Sequence, residues 1–136
     1  MNAIRIHDLK YGTSVLAFDL RDILVALGPK AITAAWSVGP VEGGQPDGLD
    51  VTGAAADELE KLAQSGIRIS GEHFVELARN VRQVIWGRFE GYDTASSASP
   101  WIVVIAFDST YFEVQSTDDA TLSRLTVAFK DVRPVA

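Results

Sequence analysis

Trp101-Ile102-Val103-Val104-Ile105-Ala106-Phe107 is apolar at every position. A run that short fits a strand better than a helix. With no polar face, it predicts a central strand covered on both sides. Burying a side chain such as Ile105 is worth about 1.5–3 kcal/mol, so Ile105→Asp is expected to unfold the domain. Downstream, Asp108-Ser109-Thr110 supplies turn chemistry, side chains that bond to the local backbone. Phe112 and Val114 then alternate with Tyr111, Glu113 and Gln115, the pattern of a strand with one wet face. Upstream, Val84-Ile85-Trp86 is β-branched and aromatic, and Gln83 to Glu90 reads as a third strand. Connections this short favour antiparallel pairing, so the three strands should form a meander.

Helical spacing surrounds that unit. Ser116 or Thr117 should cap a final helix opening on Asp118-Asp119, with Leu122, Leu125, Ala128 and Phe129 inward. Before the meander, Phe74, Leu77, Ala78 and Val81 form a stripe on a helix capped by Ser70 and ending near Arg82. Ala54 to Ser65 predicts another helix, with Leu59, Leu62 and Ala63 inward and Gly66 as its C-cap. Leu16, Leu20, Ile23, Leu24 and Leu27 predict a fourth, starting after Ser14 or Asp19 and stopped by Gly28-Pro29. Ile32 to Val41 reads as a strand with Trp36 and Val38 on one face, and Leu49-Asp50-Val51 as a short hairpin return. Ile4 to Leu9 alternates briefly, as a short edge strand would. The expectation is one α+β domain over residues 1–136, an antiparallel sheet with about four helices packed on it.

Composition narrows the function classes. The chain has no cysteine, which removes disulfides and thiolate metal sites. Its charge is −6, from 12 basic and 18 acidic side chains, with no basic tail or stripe. Nucleic-acid binding relies on phosphate neutralisation by Lys and Arg, so no nucleic-acid partner is expected. The longest apolar run is too short to cross a bilayer as a helix, and Met1 to Asp8 does not read as a signal segment. A cytoplasmic protein without a membrane partner is the expectation.

Candidate chemistry is sparse. His73 lies beside Glu72 and three residues before Glu76, but HExxH spacing is absent, and His7 has less support still. Asp108-Ser109-Thr110 offers a carboxylate and hydroxyls without a GxSxG elbow. Asp118 and Asp119, with Glu113 or Asp93, lack the calcium-loop pattern, and acids at a helix start follow from its dipole. The Gly/Pro-rich loop from Gly39 to Gly53 matches no phosphate-binding fingerprint, yet long loops in compact domains are often functional. No catalytic, cofactor-binding or metal residue is assigned, and no cofactor is expected.

The aromatics are more informative. If Ile85 and Phe89 face the helices, Trp86, Arg88 and Glu90 line the opposite face of the sheet. Tyr111, Glu113 and Gln115 would lie on the wet face of their own strand. Aromatic residues beside arginine are what interface hot spots favour, so Trp86, Arg88, Glu90, Tyr111 and Glu113 are the candidate interaction residues.

Gln83 to Tyr92, Pro100 to Val103 and Asp108 to Val114 resemble a cassette of the WGxF…DSTxFEV type found in small bacterial proteins with no activity attached to them. The likeness covers mainly the C-terminal part and implies no functional residue. In size, acidity and lack of catalytic motifs, the chain is also similar in style to immunity proteins of bacterial toxin systems. The combined expectation is a non-catalytic module that binds another protein or itself. The alternative is a small-molecule-binding domain or minor enzyme, with its pocket under the 39–53 loop.

Overall fold

The computed structural model describes residues 1–44 and 48–135. In chain order the elements are β1 (Asn2–Ile6), α1 (Leu20–Leu27), α2 (Pro29–Thr33), β2 (Ala35–Gly39), β3 (Asp50–Thr52) and α3 (Ala56–Ser65). There follow β4 (Ile69–Ser70), α4 (Gly71–Arg79), β5 (Gln83–Tyr92), β6 (Ile102–Phe107), β7 (Tyr111–Ser116), α5 (Asp119–Ala128) and β8 (Val132–Val135). The strands form one antiparallel sheet in the order β4-β2-β5-β6-β7-β1-β8, with β3 alongside β5. The fold is α+β. β5, β6 and β7 form the expected meander, and β6 occupies the middle of the strand order.

The helices begin and end where local chemistry dictates. Asp19 is the N-cap of α1: its carboxylate accepts from the Leu20 N–H at 2.8 Å, and Asp22 returns the bond to the Asp19 N–H at 2.8 Å. The chain before it turns back on itself, with a lone bridge between Leu9 and Leu16 in place of a strand. Gly28 ends α1 at a φ of 71°, and Pro29 opens α2 at once. Proline is a stop for one helix and a first residue for the next, so the N-terminal part of the expected Ile32–Val41 strand is helical. α4 ends at Arg79, where the Asn80 amide bonds to the Glu76 carbonyl at 2.9 Å, rather than at Arg82. Asp118, not Ser116 or Thr117, caps α5, while the Ser116 hydroxyl accepts from the Asp118 N–H at 3.0 Å. Ala128 is exposed, not inward.

Long-range pairing departs further from expectation. β1 is not an edge: it lies between β7 and β8, and β8 comes from the far end of the chain. β3 pairs with β5 and not with β2. At the β8 edge, the His7 N–H donates to the Asp131 carbonyl at 2.8 Å. That fixes the alternation, turning the main-chain groups of Arg133 and Val135 toward β1 and those of Val132 and Pro134 outward. Pro134, with no N–H, therefore occupies an outward-facing position on this edge.

The helices cover one face of the sheet. Ile4 and Ile6 of β1, Trp36 and Val38 of β2, Phe89 of β5 and Phe112 and Val114 of β7 join the helical side chains in the core. Ile102, Val104 and Ala106 of β6, all fully buried, complete the sheet's contribution. Trp36 stacks on Phe74 with ring centroids 4.8 Å apart and donates to the Ala31 carbonyl at 2.9 Å. On the other face of β6, Val103 is 2% exposed, Ile105 is half-buried and Phe107 is 39% exposed. Among the described residues no helix lies over this second face.

Candidate functional site

Cross-strand register sorts the second face into rows. The first row is aromatic: Trp86 of β5 pairs with Phe107 of β6, and Phe107 with Tyr111 of β7. Ring centroids are 4.8 Å apart for Trp86 and Phe107 and 5.0 Å for Phe107 and Tyr111, and His7 continues the line 5.2 Å beyond Tyr111. The second row runs Arg88, Ile105, Glu113, Arg5 and Arg133 across five strands. The third runs Ser37, Glu90, Val103, Gln115 and Ala3.

Two local features produce this arrangement. The β3–β5 register shifts so that Asp50 meets Trp86 while Val51 meets Val84. The extra residue, Ile85, is a bulge that reverses the side-chain alternation. Val84 consequently faces the core at 1% exposure while Trp86, two residues on, faces out. Val84, Gly87 and Phe89 thus face the helices in place of the expected Ile85 and Phe89. Secondly, the β6–β7 turn places Asp108 and Ser109 at positive φ, 52° and 60°, the left-handed conformation that tight hairpins require. Asp108 and Thr110 are turn residues here: the Thr110 hydroxyl donates to the Phe107 carbonyl at 2.6 Å.

Charges on the face are closed into pairs. Arg88 Nε lies 2.8 Å from Glu90 Oε1, and Arg5 Nε 2.9 Å from Glu113 Oε1. Arg133 bonds to both Asp131 oxygens at 3.0 Å. The Tyr92 hydroxyl donates to Glu90 at 2.6 Å, and the Gln115 amide to Glu113 at 2.7 Å. Burial by itself raises the Glu90 carboxyl, but the Tyr92 hydroxyl and the Arg88 guanidinium outweigh it and hold the group below its ordinary range. Burial, reinforced by Arg133, lowers His7, which favours the uncharged ring against Tyr111. The result is a set of long side chains paired with one another, with little net charge among the pairs.

Ring orientation limits what this surface can bind. Phe107 and Tyr111 are nearly parallel, at 14°, and face each other along the row. The Arg5 guanidinium lies 4.7 Å from the Tyr111 centroid, and His7 packs beside the same ring. Phe107 and Tyr111 thus cover one face of each other, while Trp86 meets Phe107 edge to face at 61°. A base or sugar stacks on an open ring face. A row of rings packed on one another suits contact with protein side chains instead.

The structure brings Trp86, Arg88, Glu90, Tyr111 and Glu113 onto one face. It adds Phe107, Arg5 and His7, which sequence reading had not placed there. The signal for Phe107 was its position opposite Trp86, but the uniform apolarity of β6 hid which residues face out. The loop after β2 borders this row: Gly44 packs so closely on Trp86 that a Cβ would approach Cε3 to 2.9 Å. Val41 N–H donates to the Gly48 carbonyl at 2.7 Å, tying the two ends of that loop together. Gln45, Pro46 and Asp47, the middle of the expected 39–53 loop, lie outside the described residues.

Other candidates stand apart from this face and from one another. His73 pairs with Glu58 of α3 at 2.7 Å on the helical side, and Glu76 pairs with Arg79. Asp118 bonds to Thr121, and Asp119 accepts from the Asn2 amide at 2.8 Å. Among the described residues, no three His, Asp or Glu side chains gather as metal ligands. Trp101 is 5% exposed and lies under the Lys30 ammonium, 4.0 Å from its ring centroid. A cleft of about 340 Å³ lies by the start of α1, lined by Lys10, Phe18, Asp19, Arg21 and Arg82 among others. Its buried acid, Asp19, is pushed up by desolvation and is occupied by the main-chain N–H groups of Leu20 and Val84. That carboxylate joins α1 to β5.

Among the described residues no helix is long and apolar enough to cross a membrane. Comparison of the chain with protein-family models, curated proteins and solved structures finds no match.

Proposed function

We propose that this chain is a non-catalytic module that binds another protein through the helix-free face of its sheet, in the class of small acidic immunity or accessory factors. The observation that carries this reading is the row Trp86-Phe107-Tyr111 flanked by the ion pairs Arg88–Glu90 and Arg5–Glu113, on the face that none of the described helices covers. Aromatic and arginine side chains that are already immobilised lose less conformational entropy on binding, so contacts made by them yield more affinity. The alternative, an enzyme or a small-molecule site beneath the 39–53 loop, calls for converging polar groups. His73 lies in the helical layer, Asp108 in the β6–β7 turn, and Glu90 and Glu113 in different rows. They do not meet.

Affinity capture from the host cytosol tests the reading. Wild type and Val127→Asp, a change at an 87%-exposed position on α5, should retain the same protein partner. Phe107→Asp and Trp86→Ala, verified as folded by circular dichroism, should reduce recovery at least about tenfold, as loss of a hot-spot anchor does. Equal recovery with all four proteins, or a co-purifying metabolite in place of a protein, would overturn it.

A further inference from the structure

We propose that a second copy of this chain occupies the helix-free face, packed sheet to sheet about a two-fold axis that runs along β6. This rests on the reading of that face as a protein-contact surface and adds the identity of the occupant. An axis along β6 preserves position along the strands and exchanges the two sides of the sheet, so β5 of one copy lies over β7 of the other. The registers then fix what meets what. In the first row Trp86 faces the partner's Tyr111, and Phe107 faces the partner's Phe107. In the second row Arg88 faces the partner's Glu113, with Ile105 against the partner's Ile105 between the two charge contacts. In the third row Glu90 faces the partner's Gln115, an acceptor against a donor.

The complementarity belongs to this axis. A two-fold perpendicular to the strands would instead lay Trp86 on Glu90 and Tyr111 on Gln115, an aromatic row on a polar one. Each side of the proposed contact presents a β5 arginine, Arg88, and a β7 carboxylate, Glu113, either side of the apolar centre at Ile105. Overall the chains repel at −6 each, but the arginines on this face are already matched by Glu90, Glu113 and Asp131. The edges are poorer alternatives: β4 has two residues, and Pro134 removes a donor from β8.

Extent sets the strength. The three contacting strands, β5, β6 and β7, at about 4.8 Å spacing and three rows about 7 Å apart give a grid about 10 Å by about 14 Å between strand and row centres, even with side chains added well under the usual footprint of a stable interface. Tight complexes bury about 800 Å² per partner. The association is therefore concentration-dependent, with a folded monomer on dilution.

Sedimentation velocity over about 10 μM to about 1 mM at low salt, a range chosen for a weak contact of this size, tests the proposal. Wild type should pass from monomer to dimer. Arg88→Glu and Glu113→Arg should each weaken dimerisation at least tenfold, because each homodimer then carries two like-charge contacts. An equimolar mixture of the two variants should recover the dimer, since every reversed group meets its opposite. The chain carrying both reversals should dimerise as well, which separates a lost contact from a lost fold. A wild type that stays monomeric throughout, a dimer indifferent to Arg88→Glu, or a mixture no better than its components would overturn the two-fold contact. If the wild type is monomeric while Phe107→Asp still abolishes capture of a different protein, the second copy is wrong and the protein-binding reading stands. If neither effect occurs, both fall.

Discussion

At the scale of single residues, Asp19 does more than begin a helix. It closes the capping box of α1 and accepts from the Val84 N–H with both oxygens at 3.3 Å, so one carboxylate fixes the helix against the start of β5. Burial raises this carboxyl above its ordinary 3.8, against the pull of its backbone donors. A carboxyl with a raised folded pKa supports folding fully below the unfolded pKa, and that support is lost as pH rises through the folded value. Asp19→Asn keeps an acceptor and drops the charge. The stability of wild type relative to Asp19→Asn, from urea titrations, should therefore fall as pH climbs from about 3.8. A difference flat with pH would show that the carboxyl is well solvated. Neighbours on β6 make the same point about face. Val104 is 0% exposed in the core, whereas Ile105 lies half-buried between Arg88 and Glu113 on the open side. The expectation that Ile105→Asp unfolds the domain is revised accordingly. Val104→Asp should give insoluble protein, and Ile105→Asp should stay folded with a loss of about 1–2 kcal/mol, since only part of a side-chain burial is removed. Equal solubility loss in both would mean that the second face is as dry as the first.

Elements differ in how far local sequence decides them. The meander was legible because Phe112 and Val114 alternate with polar neighbours, a turn motif precedes them, and short connections force antiparallel pairing. α3 and α4 were legible through Gly66 and Ser70, which adopt the cap conformations their chemistry favours. What local pattern could not show was parity and partnership. The run Trp101–Phe107 carries no alternation, so the outward position of Phe107 had no signature. The Ile85 bulge flips the face within an unbroken β-type stretch, which reassigned Val84 to the core while leaving Trp86 outside. The place of β1 depends on β8, which pairs with it from the opposite end of the chain. Of the candidate site, five residues were on the expected side, but the ladder of contacts linking them needed Phe107, Arg5 and His7. β8 itself carries a testable device. Pro134 withholds an outward N–H where another chain could pair. Pro134→Val should leave the fold intact but speed concentration-dependent aggregation, read by light scattering. An unchanged aggregation rate would mean that this edge is protected by something other than its proline.

At the scale of the whole molecule, the architecture of the described residues is two-layered: five helices on one face of an antiparallel sheet, and a row of aromatic rings with paired charges on the other. A sheet with helices on one face and half-exposed aromatics such as Phe107 on the other invites a third layer from outside. The proposed third layer is a second copy or a different protein, and in either case it covers the same aromatics. Hydroxyl-radical footprinting read by mass spectrometry tests it most directly, comparing dilute isolated protein with concentrated protein and with host cytosol. Trp86, Phe107 and Tyr111 should lose at least half of their labelling when a partner or a second copy is present. Tyr11, fully exposed in the turn between Leu9 and Leu16 and without a contact to the aromatic row, should label equally in every sample. Unchanged labelling of all three aromatics, or protection at Tyr11 in their place, would contradict it.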